Sequence, residues 1–221
     1  MIPWLNPALE QLFLDAAVET LTMVGGAAAI AIALGLPLAL LLYATGPGGL
    51  SQNGLLNRPL GLLVNAVRST PFIILMVAIV PFTRLVAGTS IGTTAAIVPL
   101  ALAATAFIAR LFETAFREVD RGVIEAARAM GATRLQILVK VLVPEAMPGL
   151  VAAVTVTLVS LVGYSAMAGA VGGGGLGDLG IRFGYQRFMP EVMASVVVVL
   201  IVFVQALQSL GDWLVRRIRR R

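Results

Sequence analysis

The sequence predicts an all-α integral membrane protein with five transmembrane helices, and three observations carry that prediction. Of its 221 residues, 59% are hydrophobic and 12% charged, where a soluble domain carries about 25% charged residues; the mean hydropathy is +0.97. Five apolar stretches approach or exceed the roughly 20 residues that a helix needs to cross a bilayer. Lys and Arg fall almost wholly on one side of those stretches.

The elements follow in chain order. Residues 1–20 hold Glu10, Asp15 and Glu19 but no Lys or Arg, so the basic start of a cleavable signal peptide is not expected. Leu9, Leu12, Phe13, Ala16 and Thr20 recur at helical spacing and predict an outside-facing amphipathic helix. It leads into a first span at about 21–43. There Gly25, Gly26, Ala27, Ala28, Ala29 and Gly35 are small enough to let a neighbouring helix approach closely. The second span, about 60–81, is interrupted by Arg68, Ser69, Thr70 and Pro71, and Pro37 and Pro71 are positions where a helix can kink. The third span covers 91–111, the fourth about 150–171 and the fifth about 192–215, with a polar loop over 112–148 and a basic tail over 216–221.

Five spans put the termini on opposite faces. With the C-terminus inside, Arg58, Arg68, Arg110, Arg117, Arg121, Arg128, Arg134, Lys140 and the five C-terminal arginines are inside, against Arg84, Arg182 and Arg187 outside. That asymmetry satisfies the positive-inside rule and predicts an N-out, C-in topology. Arg68 reads first as an interfacial side chain that snorkels to the headgroups. Its functional alternative is a gating charge that pairs with Glu113 or Glu118.

Several chemistries are excluded. The chain has no Cys and no His, so it has no disulfide, no thiol nucleophile and no His/Cys metal site. The net charge of +5 and the pI near 10.7 sit in clusters flanking apolar spans. Such clusters meet anionic lipid headgroups rather than nucleic acid. Gly163-Tyr164-Ser165-Ala166-Met167 approaches a nucleophile elbow but ends in Met, and a Ser–His dyad is impossible without His. Gly172, Gly174 and Gly177 fit the dinucleotide spacing, but they follow a membrane span rather than a strand and read as flexible-loop glycines. No phosphate-binding P-loop sequence occurs. The sequence therefore predicts no enzyme, no cofactor and no metal.

The polar loop is more informative. Gly122–Met130 suits a short helix with Val123, Ile124, Ala127 and Met130 on one side. Gly131 stands where a left-handed residue ends a helix, and Thr133 can cap a second helix, Arg134–Val143, that Pro144 closes. Ala126, Ala127 and Ala129 make the first helix slim enough to enter a groove on another protein, with Glu125 and Arg128 as polar contacts at its mouth.

Glu125-Ala126-Ala127, then Gly131 after three residues, then Val141-Leu142-Val143-Pro144 after nine more, resembles the EAA loop of binding-protein-dependent ABC importer permeases. Further segments are similar to the permease subunits of methionine ABC importers. They include Arg68-Ser69-Thr70-Pro71-Phe72-Ile73-Ile74-Leu75, Pro81-Phe82-Thr83-Arg84, Gly88-Thr89-Ser90-Ile91-Gly92, Phe107-Ile108-Ala109-Arg110 and Leu161-Val162-Gly163-Tyr164-Ser165-Ala166-Met167. The resemblance runs from about 15 to 215 and weakens in the 46–58 loop.

This resemblance implies a type I ABC importer permease fold over 21–215 in a bacterial inner membrane, used as a homodimer around a central pathway. It implies two cytoplasmic ATPase subunits as the energy source and a periplasmic methionine-binding lipoprotein as the donor of substrate. The 112–148 segment becomes the cytoplasmic coupling loop. Glu125, Ala126, Ala127, Arg128, Gly131 and Ala132 become the coupling residues lodged in the ATPase.

Span four is the expected pathway helix. Thr157, Ser160, Tyr164, Met167 and Val171 follow one helical stripe, and polar side chains on such a stripe need a protein or water neighbour rather than lipid. Interhelical hydrogen bonding is the competing reading for Thr157 and Ser160. Tyr164 and Met167 fall in the segment that resembles the family's gate. Two other functions remain: a permease for another small solute, such as a polar amino acid or a quaternary amine, and an ATP-independent channel or ion-coupled transporter. The last expects membrane-embedded acids or paired repeats, which the spans lack.

Overall fold

The computed structural model describes residues 7–219; residues 1–6 of the expected N-terminal helix and 220–221 of the basic tail lie outside the described residues. Helix α1 runs unbroken over Pro7–Thr45, about 58 Å at 1.5 Å per residue. The amphipathic segment and the first span are therefore one rod. Pro37 lies inside it on an exposed face without breaking it.

The second span differs from expectation. Helix α2 (Gly54–Ser69) and α3 (Phe72–Ala78) meet at an angle of 108°, and α4 (Val80–Ala87) follows. Thr70 is extended at φ −83°, ψ 126°, the conformation forced on a residue before proline, and Pro71 supplies no N–H to carry the helix on. Hydropathy reads composition and not direction, so it joined two helices into one span. Among the described residues, four helices are long and apolar enough to cross a membrane, and a fifth only if the bent α2–α3 pair counts as one crossing.

Helix α5 (Thr93–Arg117) packs along α1. Ala27, Ala31, Gly35 and Ala39 recur every fourth residue on α1 and all are buried. Opposite them, Leu100, Ala104 and Ile108 of α5 are buried. A Cβ at Gly35 would lie 2.5 Å from Ile108 Cγ2. Small residues bring two membrane helices close enough for van der Waals contact, since lipid offers no hydrophobic drive between them.

Helix α6 (Arg121–Ala129), α7 (Arg134–Gln136), a π-helical turn (Ile137–Leu142) and α8 (Val143–Glu145) form the connector. Helix α9 (Met147–Ala168) then crosses back and unwinds over Gly169–Gly173. The short α10 (Gly175–Leu179) and a π-helical turn (Gly180–Tyr185) lead into α11 (Pro190–Arg219).

The glycines before α10 are not a flexible loop. Gly173 and Gly175 are buried, and Gly172, Gly174 and Gly175 hold φ at 92°, 82° and 80°, a region that only glycine enters freely. The turn is pinned to α1. Glu19 Oε2 accepts from the Gly175 N–H at 2.6 Å, and Thr20 Oγ1 accepts from the Leu176 N–H at 2.9 Å.

That clamp marks one end of the bundle. At the other, Tyr43 meets Phe116 edge-on at 6.0 Å, so α1 and α5 finish together. Gly211 of α11 packs directly on Thr155 of α9, which brings the C-terminal arginines to the same end as the connector.

Candidate functional site

The connector begins at Asp120, whose Oδ1 accepts from the Gly122 N–H at 2.6 Å and caps α6. Its end is a complete Schellman motif. The Gly131 N–H donates to Arg128 O at 2.9 Å and the Ala132 N–H to Ala127 O at 3.1 Å, with Gly131 at φ 82°, the left-handed geometry that such a stop requires. Thr133 then opens α7 in a reciprocal capping box with Gln136.

Pro144 does not end the second helix as expected. It lies within α8, and the Val143 N–H reaches back five residues to Leu138 O. A proline ring collides with the carbonyl four residues earlier. The wider π turn over Ile137–Leu142 moves that carbonyl aside, so the chain stays helical.

Helix α6 divides into two faces. Ile124 and Ala127 are buried in the main core with Ile137 and Leu142. Glu125, Ala126, Arg128, Ala129 and Gly131 are exposed and Ala132 is half-buried. Two expectations change here. Ala127 packs inward against its own chain and anchors the helix. Val123 and Met130, expected beside Ile124, are exposed, Met130 by 81%, because it sits past the last helical turn where the chain has already swung away. Leu135 and Val139, further along the connector, are exposed as well.

On α5, Glu113 is buried between two arginines, with Arg110 Nη1 at 2.6 Å and Arg117 Nη2 at 2.8 Å. Arg110 Nη2 also donates to Gly61 O at 3.0 Å, tying α2 to α5. Arg68 is not part of this group. It is exposed and lies seven residues, about 10 Å along the helix, beyond Gly61. Val64 packs on Leu42 and Ala106, so α2 runs away from Glu113 as it approaches Arg68. For the same reason Arg68 does not sit with the charges at the connector end.

The span-four stripe splits along its length. Thr157 is buried and its hydroxyl donates to Ala153 O at 2.8 Å; the half-buried Ser160 donates to Val156 O at 2.9 Å. Each hydroxyl is satisfied four residues back in its own helix. Tyr164 is half-buried and stacks on Phe72 at 4.8 Å and 11°. Met167 and Val171 are exposed. Residues three apart differ by about 60° around a helix, and the boundary between core and surface falls inside that arc. The exposed line on α9 is instead Ala152, Val156, Gly163 and Met167.

Phe72 was legible as part of the Arg68–Leu75 segment, but not as the stacking partner of Tyr164. A polar line on α11 carried a clearer signal that hydropathy averaging hid. Gln205, Gln208, Ser209 and Asp212 recur at helical spacing and are all exposed, and Gln208 and Asp212 share a cleft of about 420 Å³ with Ser160.

Residues 31–221 match the family described as binding-protein-dependent transport system inner membrane component. The chain is 57% identical over 212 residues to the probable D-methionine transport system permease protein of Vibrio cholerae, covering 96% of this chain and 94% of that protein. It is 48% identical over 219 residues to the corresponding protein of Pasteurella multocida, covering 98% and 100%. Among solved structures it is similar to a chain of the inward-facing MetNI methionine ABC transporter, with a TM-score of 0.94, 49% identity and coverage of 96% and 99%.

Proposed function

The chain belongs to the family of binding-protein-dependent transport system inner membrane components, and from that premise we propose that it is the permease subunit of an ATP-driven importer of methionine. The carrying observation is the 57% identity to a D-methionine permease over nearly the whole of both chains. The exposed, tightly terminated α6 fits this reading, because a permease without a P-loop must receive its energy through a surface.

In the proposed assembly two copies surround a central pathway, two cytoplasmic ATPase subunits bind beneath, and a methionine-binding lipoprotein docks outside. The topology is N-out and C-in, with residues 1–20 outside, the transmembrane domain over 21–215, the 112–148 segment as the coupling loop and 216–221 as the inner tail. Even without Arg68, Lys and Arg at the connector end outnumber Arg84, Arg182 and Arg187 at the other.

Coupling is mechanical. Ala126, Ala129 and Met130 enter the ATPase groove, Glu125 and Arg128 stay at its mouth, and Gly131 and Ala132 fix the angle at which α6 leaves it. Ile124 and Ala127 hold α6 to the helical bundle, so a displacement of the ATPase carries α5 and α9 with it. ATP closes the ATPase pair and favours the outward-open arrangement, a shift limited by its differential affinity for the two states. Met167 presents a flexible apolar plug on the exposed line of α9. Tyr164, stacked on Phe72, sets the position of that line, while Thr157 and Ser160 lie beside it with their hydroxyls turned back onto their own helix. Arg68 acts at the bend, where α2 and α3 change direction.

The test is uptake in proteoliposomes with ATPase and binding protein present. L- and D-methionine are compared with a polar amino acid and a quaternary amine. ATP-dependent accumulation restricted to methionine supports the proposal. Accumulation of another solute replaces the substrate and keeps the machine, and flux without ATP contradicts both.

A further inference from the structure

At the connector end, a cavity of about 320 Å³ opens between the end of α1, the 46–50 loop and α6. Tyr43, Gly48, Arg117, Arg121, Glu125 and Arg128 line it. Three arginines thus line one recess that has a single acidic residue in its wall. Arg117 already gives its Nε and Nη2 to Glu113. Arg121 and Arg128 make no ion pair among the described residues, although Glu125 lies one turn from each. The guanidiniums reach across the loop: a Cβ on Gly48 would lie 3.7 Å from Arg121 Nη2, and one on Gly46 3.0 Å from Arg117 Nη2. The loop is tied to the connector from its other side, where Arg134 Nη1 donates to Ser51 Oγ at 3.1 Å.

Cations gathered in a recess where they outnumber the carboxylates repel one another and favour an anion. The planar forks of arginine match the oxygens of phosphate in paired, charge-assisted hydrogen bonds. We propose that this recess binds a phosphate-bearing anion and that the bound anion staples the 46–50 loop to α6. The outward face of α6, with Ala126, Ala129 and Met130, is left for a protein partner. Two sources carry the same chemistry: the headgroup of an anionic phospholipid at the ends of α1 and α5, or a soluble phosphate. A staple at this place sets the stiffness with which α6 transmits motion. The site does not depend on the identity of the transported solute.

Amide hydrogen exchange over residues 46–50 and 121–131 tests the proposal, with the complete transporter in nanodiscs of pure phosphatidylcholine as the baseline. Phosphatidylglycerol in the disc slows exchange in both segments if a lipid is the source. Pyrophosphate added to the neutral disc slows it if the source is soluble. Arg121→Gln weakens the response to the active probe about tenfold or more, as expected for loss of a charge-assisted hydrogen bond. Arg121→Lys, which keeps the charge but loses the fork, falls between. Co-purification of the ATPase and an unchanged melting temperature establish that both variants are folded. No slowing with either probe overturns the proposal, which is also the result expected if an acidic side chain of the ATPase fills the recess. Equal slowing in wild type and Arg121→Gln overturns it too.

Discussion

A side chain at Gly131 would have to be held at φ 82°, where L-residues other than Asn and Asp are disfavoured by about 1 kcal/mol or more. Gly131→Ala is therefore expected to leave the permease inserted but to loosen the end of α6. Co-purification of the ATPase and methionine uptake should both fall several-fold, and ATPase pull-down beside an uptake assay checks this. Glu113 makes a second prediction. Glu113→Gln leaves Arg110 and Arg117 without their shared carboxylate, and breaking one side of a buried pair costs about 3 kcal/mol, less here because Arg117 is partly exposed. The melting temperature of the purified permease should drop, while Arg68→Gln should leave it unchanged. Gly131 was legible because a left-handed stop has a compositional signature. The partners of Glu113 were legible too, since Arg110 and Arg117 stand three and four residues from it on one helix; the exclusion of Arg68 was not, because it depends on the direction of α2.

At the scale of the element, the α1–α5 contact depends on the four-residue repeat of Ala27, Ala31, Gly35 and Ala39. Gly35→Leu places atoms against Ile108 and should destabilise by about 1–3 kcal/mol, the usual range for overpacking. Gly25→Leu, with nothing within 4 Å of its Cβ position, should be silent. Thermal melts of the two variants side by side read the difference. The clamp between α1 and α10 gives a related expectation. Glu19→Ala removes the acceptor of the Gly175 N–H and should cost about 1–3 kcal/mol, visible as faster amide exchange across the turn before α10. Glycine content alone does not distinguish a loose loop from a packed one. What decides it here is Glu19 and Thr20, more than 150 positions away in the chain. The helices themselves were well read from apolar length, because a membrane leaves few other structures open to a chain. The turn at Pro71 was visible as an interruption, but not its angle.

For the whole molecule, the two ends of the bundle have different work. One is locked by Glu19 and Thr20 onto α10, and the other presents α6, held inward by Ile124 and Ala127 and bare on its outer face. The transmission of ATPase motion through that outer face is the central claim. The chain contains no cysteine, so a single introduced thiol can carry a photo-cross-linker without background from the permease. The most direct measurement attaches a maleimide-benzophenone to Ala126→Cys and, as a control at the opposite end, to Leu14→Cys, in the complete transporter. The account predicts an ATPase adduct from position 126 and none from position 14, with the 126 adduct blocking ATP-driven methionine uptake. No ATPase adduct at 126, or an adduct that leaves uptake intact, would contradict it.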